Sequence, residues 1–171
     1  MKKLSLILCF ILISITLTGS RDISKAYNFT LSDNELELKI EDIAQEAAKD
    51  LNLSTTPLVS CYYYDWSVIA STSLTPVYEG KSVIYVNLYI FRNNKYRDLD
   101  RLLVFSTAHE VRHVYQYEHK NDETDYGKLC KDGFTNYHRW SDDICLYYSQ
   151  FIEQDANTYA REFADWYFRT H

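Results

Sequence analysis

Apolar positions recur along this chain in different rhythms, and each rhythm predicts a different element. Leu36, Ile40, Ile43, Ala47 and Leu51 step by three or four, with Glu37, Glu41, Lys49 and Asp50 between them. That period places one apolar stripe along an amphipathic helix. Ser32-x-x-Glu35 just ahead is a capping box and marks the helix start. From Pro57 to Asn87 the texture changes. Leu58 to Tyr64 and Ser82 to Asn87 are rich in β-branched and aromatic residues, as strands are. Val68 to Ser71 and Thr75 to Tyr78 are shorter candidates, punctuated by Pro76 and Gly80. The reading is a sheet of three or four strands.

Asp98 to about His119 has the pattern of a long helix. Leu99, Leu102, Leu103, Phe105 and Ala108 make its first half apolar on more than one face, which predicts a buried central helix. Lys120 to Tyr137 is polar, contains Gly127 and Gly133, and reads as a surface insertion. Ile152, Ala156, Tyr159, Ala160, Phe163 and Tyr167 then form the apolar face of a last helix, expected from about Asp143 to Phe168. The expected fold class is α+β: an N-terminal helix, a small sheet, a buried helix and a C-terminal helix. No internal repeat interrupts this order.

The N-terminus has a different character. Lys2 and Lys3 precede an apolar run from Leu4 to Leu17, and Thr18-Gly19-Ser20 follows. This is the layout of a secretory signal peptide over residues 1–20, leaving one domain over 21–171. The run is short for a membrane-spanning helix, so no stable membrane insertion is expected after cleavage; a retained N-terminal anchor is the alternative. Loss of the two lysines takes the formal net charge from −6 to −8. An acidic domain without a Lys/Arg cluster argues against nucleic acid as a partner. Sixteen tyrosines supply packing surface with a polar tip, suited to a small core or an aromatic-lined groove. Cys61, Cys130 and Cys145 form no C-x-x-C pair, which argues against a cysteine metal site. In an exported chain a disulfide is expected, preferentially Cys130 with Cys145, with Cys61 as the other possible partner.

The chemistry concentrates in the long helix. His109-Glu110-Val111-Arg112-His113 carries the pattern His-Glu-x-x-His. On a helix the two imidazoles sit one turn apart on one face and can reach a single metal ion, while Glu110 is displaced toward a water on that ion. The bland alternative is a pair of surface histidines on an amphipathic helix. A catalytic zinc site needs a third protein ligand and an open fourth position. Glu153 on the last helix is the candidate third ligand, and Asp155 is the runner-up. Ala156 and Ala160 flank the Glu153 face and allow close approach of the two helices.

His109-Glu110-x-x-His113, followed by Glu153-x-Asp155-Ala156-Asn157-x-Tyr159-Ala160, resembles the compact glutamate-ligand zinc peptidases, the minigluzincins. It is also similar to the ImmA/IrrE-type metallopeptidases, whose second helix carries Glu-x-Glu-Ala-Asn-x-Phe-Ala. The likeness spans roughly Ser82 to Ala164, and only the two helix motifs are sharp within it. It implies one zinc ion, held by His109, His113 and Glu153, with Asn157 orienting a zinc histidine. Larger gluzincins often have Asp where Asn157 stands. It also implies that Val83 to Asn87 is the edge strand of a substrate cleft.

The expected activity is hydrolysis of peptide bonds in a peptide or protein substrate, by a zinc-activated water with Glu110 as general base. His138, Tyr137, Tyr147 and Tyr148 precede the glutamate helix and are candidate transition-state donors. Arg112 and Gln116 extend the motif in structural or supporting roles. Two rival functions remain: a zinc-stabilised binding or inhibitory module, and a zinc hydrolase of a non-peptide amide.

Overall fold

A computed structural model describes residues 31–64, 68–78, 80–93, 98–139 and 141–171. The expected signal peptide over residues 1–20 lies outside the described residues. The fold is α+β. Helix α1 (Asp33–Asp50) is followed by β1 (Leu58–Tyr62), β2 (Ala70–Tyr78) and β3 (Lys81–Asn87). Then come α2 (Leu88–Asn93), α3 (Leu99–His119), α4 (Asp125–Thr135), α5 (Ile144–Ser149) and α6 (Phe151–Thr170).

Helix α1 starts where its capping box places it. The Ser32 side chain accepts from the Glu35 N–H, and the Glu35 carboxylate accepts from the Ser32 N–H at 2.7 Å. Its stripe of Leu36, Ile40, Ile43, Ala44 and Ala47 is buried. These residues share one core with Ile84 and Val86 of β3, Leu103, Val104, Ala108 and Val111 of α3, and Ala160 and Phe163 of α6. The sheet order is β1-β3-β2, with β1 parallel and β2 antiparallel to β3. The two short candidates around Pro76 are therefore one strand in part: Thr75 to Tyr78 continues Ala70 to Leu74, while Val68 and Ile69 precede it. Gly80 takes φ +75° in the hairpin back to β3, a backbone state that glycine adopts without steric cost.

The strand Val83 to Asn87 is not a sheet edge, as the family resemblance implied. It is paired on both sides, parallel to β1 and antiparallel to β2, with Val83, Ile84 and Val86 buried. β2 forms the edge beside α3. Asn87, fully buried at the end of β3, is satisfied on both sides of its amide. Its Oδ1 accepts from the Tyr64 and Tyr89 N–H groups, and its Nδ2 donates to the carbonyls of Tyr64 and Val68.

Two further expectations change. Lys120 to Tyr137 is not a plain insertion: it holds α4, capped by Thr124, whose side chain accepts from the Gly127 N–H at 3.0 Å. Its glycines are contact points rather than turn residues. A Cβ at Gly127 would lie 2.5 Å from the Asp122 carbonyl oxygen, and one at Gly133 would lie 2.7 Å from Ile152 Cγ2. The single last helix is divided at Gln150, which is extended (φ −68°, ψ 139°). The Gln150 side chain takes the place of a strand partner for His138, accepting from its N–H at 2.8 Å and donating to its carbonyl at 2.9 Å.

No disulfide forms among Cys61, Cys130 and Cys145. The expected Cys130–Cys145 pairing fails because Cys130 is enclosed on the inner face of α4, while Cys145 is exposed on the first turn of α5. Among the described residues, no helix is long and apolar enough to cross a membrane.

Candidate metal centre

Helix α3 buries an unusual number of polar groups. Ser106, Thr107, His109, Glu110, His113 and Gln116 are all enclosed along its length. Such a helix face is costly unless each group finds a partner. Partners come from α6, which packs against it, from β2 and from α3 itself, where Ser106 bonds the Leu102 carbonyl; Thr107 Oγ1 has none. Ala156 and Ala160 are fully buried between the helices, as the close approach requires.

Glu153 has no solvent exposure and projects from the first turn of α6 toward the two imidazoles. His109 Nε2 is 3.4 Å from one carboxylate oxygen, and His113 Nε2 is 3.5 Å from the other. The two Nε2 atoms are 3.0 Å apart. Ligands bound at 2.0–2.1 Å in a tetrahedral zinc site are separated by about 3.3 Å, so these donors already have the spacing of such a site. The donor chemistry also fits: two imidazole nitrogens and one carboxylate form a group able to hold a metal ion. Two buried atoms of the cluster lack a hydrogen-bond partner: Glu153 Oε2 and His109 Nδ1. The side-chain exposure of the imidazoles is 11%, against none for Glu153, so the cluster is reached from the histidine side.

Protonation follows from the packing. For His109, burial opposes the charged form. The close contact with Glu153 and the charges of Glu110 and Glu153 outweigh it, and its pKa is raised. Burial and the neighbouring His109 charge instead hold His113 down. Burial acts to raise Glu153 as well, but the two histidines and Tyr147 overcome it and keep the carboxyl below its ordinary value. Within the cluster, the surroundings therefore favour the charged form of His109 over that of His113.

Thr72 of β2 was not anticipated. Its hydroxyl donates to Glu110 Oε2 at 2.6 Å, tying the carboxylate beside the imidazole pair to the sheet edge. No local signal marks this residue, because the contact joins elements 38 positions apart. Asp155, the runner-up ligand, points away from the cluster. It pairs with Arg112 through two bonds, at 2.8 and 3.0 Å, and also accepts from Gln116 and Tyr126. Two residues along a helix is about 200°, which is why Glu153 and Asp155 serve different faces.

Asn157 stands beside His109 and favours its protonated form, although His109 Nδ1 has no partner of hydrogen-bond geometry. Of the four candidate donors ahead of α6, two reach the cluster. Tyr137 donates to Glu153 Oε1 at 3.1 Å, and the Tyr147 phenol, its pKa raised by burial, lies close enough to Glu153 for the carboxylate charge to raise it further. His138 is exposed, with its backbone rather than its ring engaged by Gln150. Tyr148 is exposed beside Tyr147, with ring centroids 5.1 Å apart. The break at Gln150 separates Tyr147 from α6, an arrangement that a continuous helix would not give.

Comparison with protein-family models, with curated proteins and with solved structures returns no match to this chain. The functional reading therefore stands on the residues of the site.

Proposed function

We propose that this chain is an exported zinc metallopeptidase of minigluzincin type. The observation that carries the reading is the 3.0–3.5 Å triangle of two imidazole nitrogens and a buried carboxylate, with Glu110 next to it. Zinc held by His109, His113 and Glu153 would supply a Lewis acid for the scissile carbonyl and lower the pKa of the attacking water. Glu110 takes the proton released as the water oxygen bonds to the carbonyl carbon. It then delivers that proton to the amine as the C–N bond breaks, giving a free carboxylate and a free amine. Thr72 fixes the orientation of the Glu110 carboxylate through Oε2.

The charge that develops on the carbonyl oxygen needs a donor. Tyr137 and Tyr147, with hydroxyls at Glu153, are the residues nearest that task. Burial raises both phenol pKa values, so both stay protonated as donors at neutral pH. The edge strand β2 supports a peptide substrate, because an extended peptide can pair with such an edge by main-chain hydrogen bonds. The basic and apolar leader supports export.

The test is metal analysis of the purified chain together with a peptide-library cleavage assay. The expected result is one zinc per chain and cleavage that is lost on chelation and restored by zinc. Stoichiometric zinc with no cleavage of any peptide would return the function to a binding module.

A further inference from the structure

Gln116 lies three residues beyond the second histidine and is fully buried. Its amide nitrogen donates to the Ile152 carbonyl at 2.8 Å and to Asp155 Oδ2 at 2.8 Å. Neither of those groups has a proton to give, since one is a backbone carbonyl and the other a carboxylate paired with Arg112. The orientation of the Gln116 amide is therefore fixed: nitrogen toward α6, and oxygen toward His113. Gln116 Oε1 stands 2.8 Å from His113 Nδ1. An amide oxygen can only accept, so Nδ1 must carry the proton of the neutral ring. That leaves Nε2 as a bare lone pair directed at His109 Nε2 and Glu153.

The chain of constraint extends outward. Asp155 is held by Arg112 from α3 and by the Tyr126 hydroxyl from α4 at 2.9 Å. The Arg112 guanidinium lies over the Tyr115 ring at 4.5 Å and the Tyr159 ring at 5.3 Å. Three helices thus converge on one carboxylate, whose effect is to orient one amide.

We propose that Gln116, oriented by the Arg112–Asp155 pair, is a positioning residue that selects the metal-binding tautomer of His113. The proposal rests on the zinc reading of the His109, His113 and Glu153 cluster, and adds a role that none of those residues supplies. It assigns the Gln of His-Glu-x-x-His-x-x-Gln and the Asp of Glu-x-Asp to one device: the carboxylate two residues after the third ligand sets the ring state of the second ligand.

Two variants separate positioning from packing. Gln116→Met has similar volume and no acceptor for His113 Nδ1. Gln116→Glu keeps an acceptor there but places a second carboxylate beside Asp155. Nitrogen-15 NMR of the zinc-free proteins reads the His113 tautomer, zinc titration against a chelator reads affinity, and thermal melting reads stability. In the wild type, His113 is expected as the Nδ1–H tautomer. In Gln116→Met that tautomer loses its preference and zinc affinity falls 10- to 100-fold, the usual effect of removing a partner behind a metal ligand. In Gln116→Glu the melting temperature falls while the tautomer and the zinc affinity stay near wild type.

If zinc affinity instead follows melting temperature across both variants, Gln116 is only a packing residue and the proposal is overturned. It is equally overturned by an Nε2–H tautomer in the wild type. A wild type that takes up no zinc overturns the metal-centre reading itself, and with it the ligand that Gln116 would position.

Discussion

Thr72 Oγ1 lies 2.6 Å from Glu110 Oε2, joining the sheet edge to the carboxylate beside the histidine pair. Hydrogen bonds to a charged acceptor contribute about 1.5–3 kcal/mol. Thr72→Val keeps the β-branched shape that the strand needs and removes the hydroxyl. Its kcat should fall roughly 10-fold or more, with zinc affinity unchanged, and Thr72→Ser should recover most of the loss. Steady-state kinetics with parallel zinc titration check this. Equal loss of zinc and of turnover would place Thr72 in the framework rather than behind the base.

On the proposed peptidase reading, the two phenols near Glu153 are the candidates for oxyanion donor. Replacing Tyr137 or Tyr147 by Phe removes only a hydroxyl. At least one of the two variants should bind zinc as the wild type does and lose about 100-fold in kcat, the usual scale for one oxyanion donor. The same replacement at exposed Tyr148 should leave kcat unchanged. If neither variant at Glu153 affects turnover, the donor lies elsewhere.

On the proposed reading, zinc and a proton compete for His109. Its pKa is raised above the ordinary 6.5 against the cost of burial, because Glu153 and Glu110 hold the charged ring. In the zinc-free fold, the His109–Glu153 pair therefore stabilises fully below the ordinary imidazole pKa, and this contribution is lost as pH rises through the raised value. Metal binding has the opposite slope. Apparent zinc affinity should fall about tenfold per pH unit below the raised His109 value, starting above pH 6.5. Titration calorimetry in buffers of different ionisation enthalpy should show proton release on binding in that range. An affinity flat from pH 5 to 8 would contradict the assignment.

Gly127 and Gly133 look alike in sequence and differ in what surrounds them. A methyl group at Gly127 meets two backbone carbonyls, of Asp122 at 2.5 Å and His119 at 2.7 Å. At Gly133 it meets the side chain of Ile152, which can turn aside. Overpacking typically costs about 1–3 kcal/mol, and the cost is larger where the neighbour is rigid. Thermal melts should place Gly127→Ala well below Gly133→Ala, and equal melting temperatures would contradict the close approach at α4.

What was legible in the sequence follows from the range over which each signal acts. The capping box at Ser32, the stripe of α1 and the α3 helix with both histidines are local patterns, and the structure has each where the periodicity puts it. The placement of Glu153 beside the histidines was legible because Ala156 and Ala160 flank its face of the last helix and permit close packing on α3, while Asp155 lies on another face. The misread parts depend on long-range partners. The strand order places β3 inside the sheet, a matter of pairing that residue types along one strand do not specify. Glycines in α4 and the extended Gln150 are explained by contacts with Ile152 and His138, and neither contact leaves a local trace. Thr72 is the clearest case, an ordinary strand residue whose partner lies on another element.

The central claim is that Glu110 acts as a base beside a zinc ion held by His109, His113 and Glu153. Glu110→Gln tests it most directly, because the amide keeps the size of the side chain and cannot take a proton. Zinc content and peptide hydrolysis should be measured on this variant beside the wild type. One zinc per chain in both, with hydrolysis reduced at least 100-fold in the variant, is the expected result. Undiminished hydrolysis by Glu110→Gln with zinc bound would contradict the account.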